Sequence, residues 1–280
     1  MSLDQFLSGL VYLGSAFVLF FLGKWVYSGL HRHFVLREEL LERDNFALAL
    51  VMIGYHLGLV FAIGGVLSGT ATSLREDLIG IFLYGGISIV LLNFASFLND
   101  WLILPKFDDE QEIIRDRNAG TGIIVAANHI ATGLIIAGAL SGSGDLLTAA
   151  VFWLLGQAAL ILASRVYGWL LPYDVHANLE KDNVAVGVSF AGMLVAVGNI
   201  VRVSVSGDFI SWREALLKFG GFLAFGLILL PLIRLITDQV LLPGKRLTAE
   251  LVKQATPNIG AGAIEAFSYI AASLLLGWVV

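Results

Sequence analysis

Eight apolar stretches, near 6–27, 46–67, 78–98, 119–140, 146–171, 184–205, 215–242 and 259–280, decide what this chain can become. Each has the roughly 20 residues needed to cross a hydrocarbon core of about 30 Å at 1.5 Å per helical residue. Lipid offers the backbone no hydrogen-bond partners, so a spanning segment must satisfy its own N–H and C=O groups as a helix. Nothing alternates with period two in the manner of a membrane barrel. The expected fold is all-α: a polytopic membrane protein of eight transmembrane helices. Only 14% of residues are charged, against about 25% in soluble chains. The first stretch is too long for the apolar core of a signal peptide, and Met1-Ser2-Leu3-Asp4 before it carries no basic residue. It is read as a retained membrane helix.

The connections alternate. Polar linkers at 28–44, 99–117, 172–182 and 243–257 follow the odd-numbered stretches, and short turns near 68–77, 141–145 and 206–213 follow the even ones. Of the 17 Lys and Arg residues, only Arg75, Arg202, Arg213 and Lys218 lie on the side of the short turns. Basic residues accumulate in cytoplasmic loops. The linkers are therefore expected in the cytoplasm, with both termini and the short turns outside.

Every second helix opens with an asparagine: Asn45, Asn118, Asn183 and Asn258. Small residues follow two positions on (Ala47, Gly120, Ala185, Gly260) and four positions on (Ala49, Gly122, Gly187, Gly262). Nine positions on stand Gly54, Ala127, Gly192 and, in the fourth copy, Phe267. Ser68, Ser141 and Ser206 each lie 23 residues after their Asn, a register of about 34 Å without insertions. The four Asn residues are expected to be helix N-caps, accepting a bond from an orphan first-turn N–H. The small residues are expected to let helices approach closely, because lipid gives no hydrophobic drive between them.

The unit expected is thus a pair of helices repeated four times. Leu-Pro pairs at 104–105, 171–172 and 242–243 end the first helix of a pair. The stretches 35–44 and 246–254 are read as short amphipathic helices at the interface. Asn45 to Asn183 is 138 residues and Asn118 to Asn258 is 140. The spacing marks two tandem four-helix halves, 1–142 and 143–280, as parallel repeats. These Asn–small–small openings, with four helices per half and the halved duplication, resemble the bacterial membrane family catalogued as domain of unknown function 350. Its members commonly show Asn-x-Ala-Ala, where this chain has Leu48, Thr121, Val186 and Ala261 at the second alanine position. The resemblance implies a bacterial inner (plasma) membrane protein and supplies no established activity or site.

Polar side chains at membrane depth are costly and often functional. Eleven residues past each Asn, about 16 Å along the helix, stand His56, His129, Leu194 and Tyr269. Asn128 adjoins His129, and Glu265 lies one turn before Tyr269. If the four Asn-led helices surround an axis, His56, Asn128, His129, Glu265 and Tyr269 converge near mid-membrane as a proton or cation pathway; otherwise each is held by an interhelical bond. Asp100 and Asp238 form a second candidate set, with Arg234 four residues before Asp238 and placed for a same-helix ion pair. Asn93, Gln157 and Asn199 are candidates for interhelical bonds. Arg202 and Lys24 are expected to reach toward the interface. Pro231 inside the seventh stretch is expected to kink it and to leave the Leu227 carbonyl without its usual donor.

Several functions have no sequence support. The chain has no cysteine and no ligand pair of histidines, phosphate-binding glycine loop or nucleophile elbow. No cofactor, metal or catalytic residue is expected, and the reading leans away from an enzyme. The charges cluster in a few loops and form no broad basic patch, so nucleic acid is not an expected partner. The partners expected are the lipid bilayer, a small ion or solute if the chain transports, and a membrane or cytoplasmic protein if it is a scaffold. The acidic stretch 107–117 is the docking surface expected for a scaffold.

Overall fold

A computed structural model describes residues 3–68, 73–103, 111–141, 144–242 and 244–279, without the side chains of residues 3–5 and 99–100. The chain forms α1 (Leu3–Leu30), α2 (Phe46–Leu67), α3 (Leu74–Leu102), α4 (Ala119–Leu140), α5 (Leu146–Leu170), α6 (Val175–Leu179), α7 (Val184–Val205), α8 (Trp212–Ile236), α9 (Leu247–Val252) and α10 (Ile259–Val279). π-helical turns occupy Glu38–Glu42, Gln111–Arg115 and Thr237–Leu241. Eight of the described helices are long and apolar enough to cross a membrane. Linker prolines 105 and 243, the side chain of Asp100 and residues 107–110 of the acidic stretch lie outside the described residues.

The Asn-led helices lie side by side in the order α2, α4, α7, α10, and α1, α3, α5 and α8 pack along their flank. The two middle members are the most enclosed, α7 being 83% buried and α4 78% over their apolar windows. Glycine makes this closeness possible. A Cβ at Gly122 would sit 2.6 Å from the Ala47 carbonyl oxygen, one at Gly187 2.6 Å from that of Gly120, and one at Gly262 would strike that of Ala185. The same register recurs at each junction: the residue four past one Asn meets the residue two past the Asn before it.

This register corrects one expectation. Small residues join α2 to α4, α4 to α7 and α7 to α10, so the four Asn-led helices form a row in which each meets the next, and among the described residues α2 and α10 do not pack together to close a ring. On α10, Phe267 and Trp278 are 63% and 80% exposed. Earlier copies have Gly54, Ala127 and Gly192 at the first place and Gly65, Gly138 and Val203 at the second.

The linkers are tucked beneath the row. Leu36, Leu179 and Leu251 are buried. Asp44, Arg117 and Asp182, each just before an Asn, take positive φ (49°, 54°, 55°) and turn the chain back toward the helix. Asp tolerates that region better than most residues.

Candidate functional site

Each asparagine acts twice. Its side-chain oxygen accepts from a backbone N–H three residues on: Asn45 from Leu48 (3.1 Å), Asn118 from Thr121 (3.1 Å), Asn183 from Val186 (3.2 Å) and Asn258 from Ala261 (3.1 Å). Its Nδ2 donates forward into the next linker: Asn45 to the Ile113 carbonyl (2.9 Å), Asn118 to that of Leu179 (2.8 Å) and Asn183 to that of Leu251 (2.8 Å). Asn258 Nδ2 donates to the Glu250 carboxylate of its own linker at 3.0 Å, as Asn118 Nδ2 also does to that of Glu112 at 2.9 Å. One carboxamide therefore starts a helix and fastens the neighbouring unit.

The intramembrane candidates separate into two clusters. In the first half, Tyr55 is fully buried; its hydroxyl donates to the Gly23 carbonyl (3.3 Å) and receives Asn93 Nδ2 (2.9 Å). The rings of Tyr55 and His129 meet edge-on at 5.3 Å, and those of Tyr55 and His56 at 5.6 Å. His56 Nδ1 donates to the Met52 carbonyl at 2.7 Å. His129 and Asn128 are buried, and His129 Nε2 has no hydrogen-bond partner among the described residues.

The second cluster surrounds Glu265, which is fully buried (0% exposed) on α10. Its Oε1 accepts from Tyr269 (3.1 Å) and Tyr167 (3.3 Å), and from the guanidinium of Arg234 on α8. Its Oε2 accepts from the Ser189 hydroxyl on α7. Arg234 also donates to Thr248 on α9 (3.2 Å), and its guanidinium lies 5.9 Å from the Tyr173 ring centre. Burial, then the nearby Glu265 carboxylate, pushes the Tyr173 phenol above its ordinary range and keeps it neutral. Its hydroxyl has no hydrogen-bond partner among the described residues. A cavity of about 340 Å³ adjoins the cluster, lined by Tyr167, Pro231, Arg234, Asp238, Thr248 and Tyr269 among others.

Three expectations are corrected here. The candidates do not share one site: His56, Asn128 and His129 lie on α2 and α4, Glu265 and Tyr269 on α10, with α7 between the two groups. The charged centre lies nearer the linker end than the level of His56 and His129, since Glu265 is seven residues, about 10 Å, past Asn258 and Arg234 reaches the linker helix α9. Arg234 does not pair with Asp238. The chain widens into a π turn directly after Ile236, and Asp238 Oδ1 instead accepts the Leu247 N–H at 2.5 Å, starting α9. The helix α8 runs unbroken through Pro231. Gln157 reaches Thr132 (3.4 Å) and Asn199 reaches Ser273 (3.3 Å), both across helices.

Ser189, Tyr167 and Tyr173 escaped the reading of the sequence. A signal for Ser189 existed: six residues past the Asn, the other copies have Val51, Ile124 and Ile264. The same comparison isolates the charges. Nine residues before the linker proline, Arg234 corresponds to Ser96, and seven past the Asn, Glu265 corresponds to Val125. Both charges are thus absent together from the first half.

No curated protein and no solved structure matches the chain. One family model matches it twice, over residues 1–140 and again over 142–280. The chain belongs to the family described as Domain of Unknown Function (DUF350), of which it carries two tandem copies.

Proposed function

We propose that this protein is a channel or secondary transporter for a small ion or solute, working through the Glu265–Arg234 centre in its second half. One observation carries the reading: a fully buried carboxylate is paired with an arginine that also lines a cavity, and the other half lacks both charges. The first half builds the same row of helices with Ser96 and Val125, so packing does not require the pair. A buried ion pair is weak evidence of stabilisation, because desolvation offsets its attraction. It does make a switch. A cation arriving from the cavity competes for the Glu265 carboxylate and frees Arg234 from its partner. Pro231, one turn before Arg234, leaves Leu227 without a backbone donor and lets α8 flex.

The wider reading completes the picture. One two-helix unit is present four times, in the plasma membrane of a bacterium, with the linkers cytoplasmic and both termini outside. That orientation rests on the distribution of Lys and Arg. A non-transporting scaffold is the second reading, favoured by the first half, where the polar groups of His56 and Tyr55 are bonded internally.

Flux into proteoliposomes tests the choice. Wild-type protein is expected to pass protons, alkali cations or small polar solutes. Glu265→Gln is expected to cut that flux at least about tenfold, the effect of roughly 1.4 kcal/mol on one step. The double variant Arg234→Ser/Glu265→Val reproduces the first half, and is expected to fold yet remain silent. Equal flux from wild type and Glu265→Gln overturns the site, and no wild-type flux of any of these species favours the scaffold.

A further inference from the structure

A second polar cluster departs from the repeat, on the same two helices α7 and α10 but near their opposite ends. Nineteen residues past the Asn, the copies read Gly64, Ala137, Arg202 and Gly277. Sixteen past, they read Phe61, Leu134, Asn199 and Leu274. Fifteen past, they read Val60, Gly133, Gly198 and Ser273. The three polar exceptions are bonded to one another: Arg202 Nε donates to Asn199 Oδ1 at 2.9 Å, and Asn199 Nδ2 to Ser273 at 3.3 Å. Asn199 and Ser273 are buried at 3% and 2% exposure, while Arg202 is partly exposed. Among the described residues Arg202 has no carboxylate partner, and its terminal guanidinium nitrogens make no hydrogen bond.

This cluster heads a groove of about 570 Å³ shared by α2, α4, α7 and α10. The groove begins at Ile130, Val195 and Ile270, twelve residues past their Asn, and ends at Ser68, Ser141 and Ser206, twenty-three past. Its length is therefore about 16 Å, close to half of a hydrocarbon core of about 30 Å. The wall is apolar below, and among the described residues that line it Arg202 is the single cation and none is a carboxylate. A guanidinium favours phosphate because it offers a fork of donors.

We infer that this groove holds one phospholipid with an anionic headgroup, drawn from the leaflet opposite the linkers, its phosphate on Arg202 and an acyl chain along the four Asn-led helices. The inference is independent of transport. Depth, charge and apolarity each match: the groove is one leaflet deep, the cation stands at headgroup level, and the wall beneath is hydrocarbon. The small residues at 64, 137 and 277 leave room for the head, since a Cβ at Gly277 would already lie 3.7 Å from Arg202 Nη2.

Native mass spectrometry of the full chain in detergent, titrated with phosphatidylglycerol, tests this. Wild-type protein is expected to retain one lipid, with phosphatidylcholine of equal chain length held at least about tenfold more weakly. Arg202→Gln is expected to lose that preference. Val195→Trp, which fills the groove and leaves Arg202 in place, is expected to weaken retention of phosphatidylglycerol by a similar factor. Helicity by circular dichroism checks that both variants fold; if Arg202→Gln does not, Val195→Trp alone decides. Equal retention by wild type and the folded variants overturns the inference. So does displacement of the lipid by glycerol 3-phosphate alone, which would make this a site for free phosphate. A dimer that buries Phe61 and Leu274 would assign the groove to a second copy of the chain and overturn it too.

Discussion

At the scale of single residues, an asparagine with two jobs should cost more to lose than one with a single job. Asn183→Ala removes an N-cap, worth about 1 kcal/mol, and also strands the buried Leu251 carbonyl, worth about 1–3 kcal/mol more. Asn258→Ala removes a cap and only an exposed contact to Glu250, so its loss should stay near about 1 kcal/mol. Unfolding in mixed micelles should rank Asn183→Ala as the more damaging; equal losses would mean that the forward bonds contribute nothing. The caps were legible in the sequence because capping is local and Asn has few reasons to recur at a helix start. The forward bonds were not, because they join residues 61 to 68 apart and no periodicity encodes such a pairing. Arg234 was assigned to Asp238 on a rule of four-residue spacing that holds only while the helix stays α. Glu265 was found by its charge, and its true partner is on another helix.

At the scale of helices, the spans followed from hydropathy alone, since length and apolarity settle whether a segment can cross lipid. Their arrangement did not. Four equivalent helices in sequence suggest an arrangement about an axis, whereas the glycines join each helix to the next in an open row. The distinction lies in which two faces are small, and a list of small residues does not say which neighbour each face meets. Gly122→Leu, Gly187→Leu and Gly262→Leu each force a side chain into a neighbouring backbone and should cost about 3 kcal/mol or more, beyond the usual range for overpacking. Gly64, Gly220 and Gly221 have open space where a Cβ would go, and Gly220→Leu or Gly221→Leu should be tolerated within about 0.5 kcal/mol. Thermal unfolding of this set in one detergent checks the contrast. The candidate sites stood where a copy breaks the shared pattern, as at Ser189, Glu265 and Arg202, and comparing the copies with one another finds such places without any homologue.

For the whole molecule, the junction between α4 and α7 joins the two halves with the register that joins helices within each half. Cutting the chain between α4 and α5 should therefore leave fragments that associate without a covalent link. Co-expressed fragments 1–141 and 144–280 are expected to co-purify through a tag on one of them, and Gly187→Leu in the second fragment should abolish the capture. Recovery of the untagged fragment in spite of Gly187→Leu would show that other surfaces hold the halves. The bulky ending of α10 carries this one step further. Phe267 stands where α2, α4 and α7 have Gly54, Ala127 and Gly192, and Trp278 where α2 and α4 have Gly65 and Gly138, so a further helix would lack that small face. These two side chains therefore block docking of another such helix on that face of α10, and a protein engineer wishing to lengthen the stack would have to insert new hairpins upstream of them, where each newcomer finds a socket already cut to receive it.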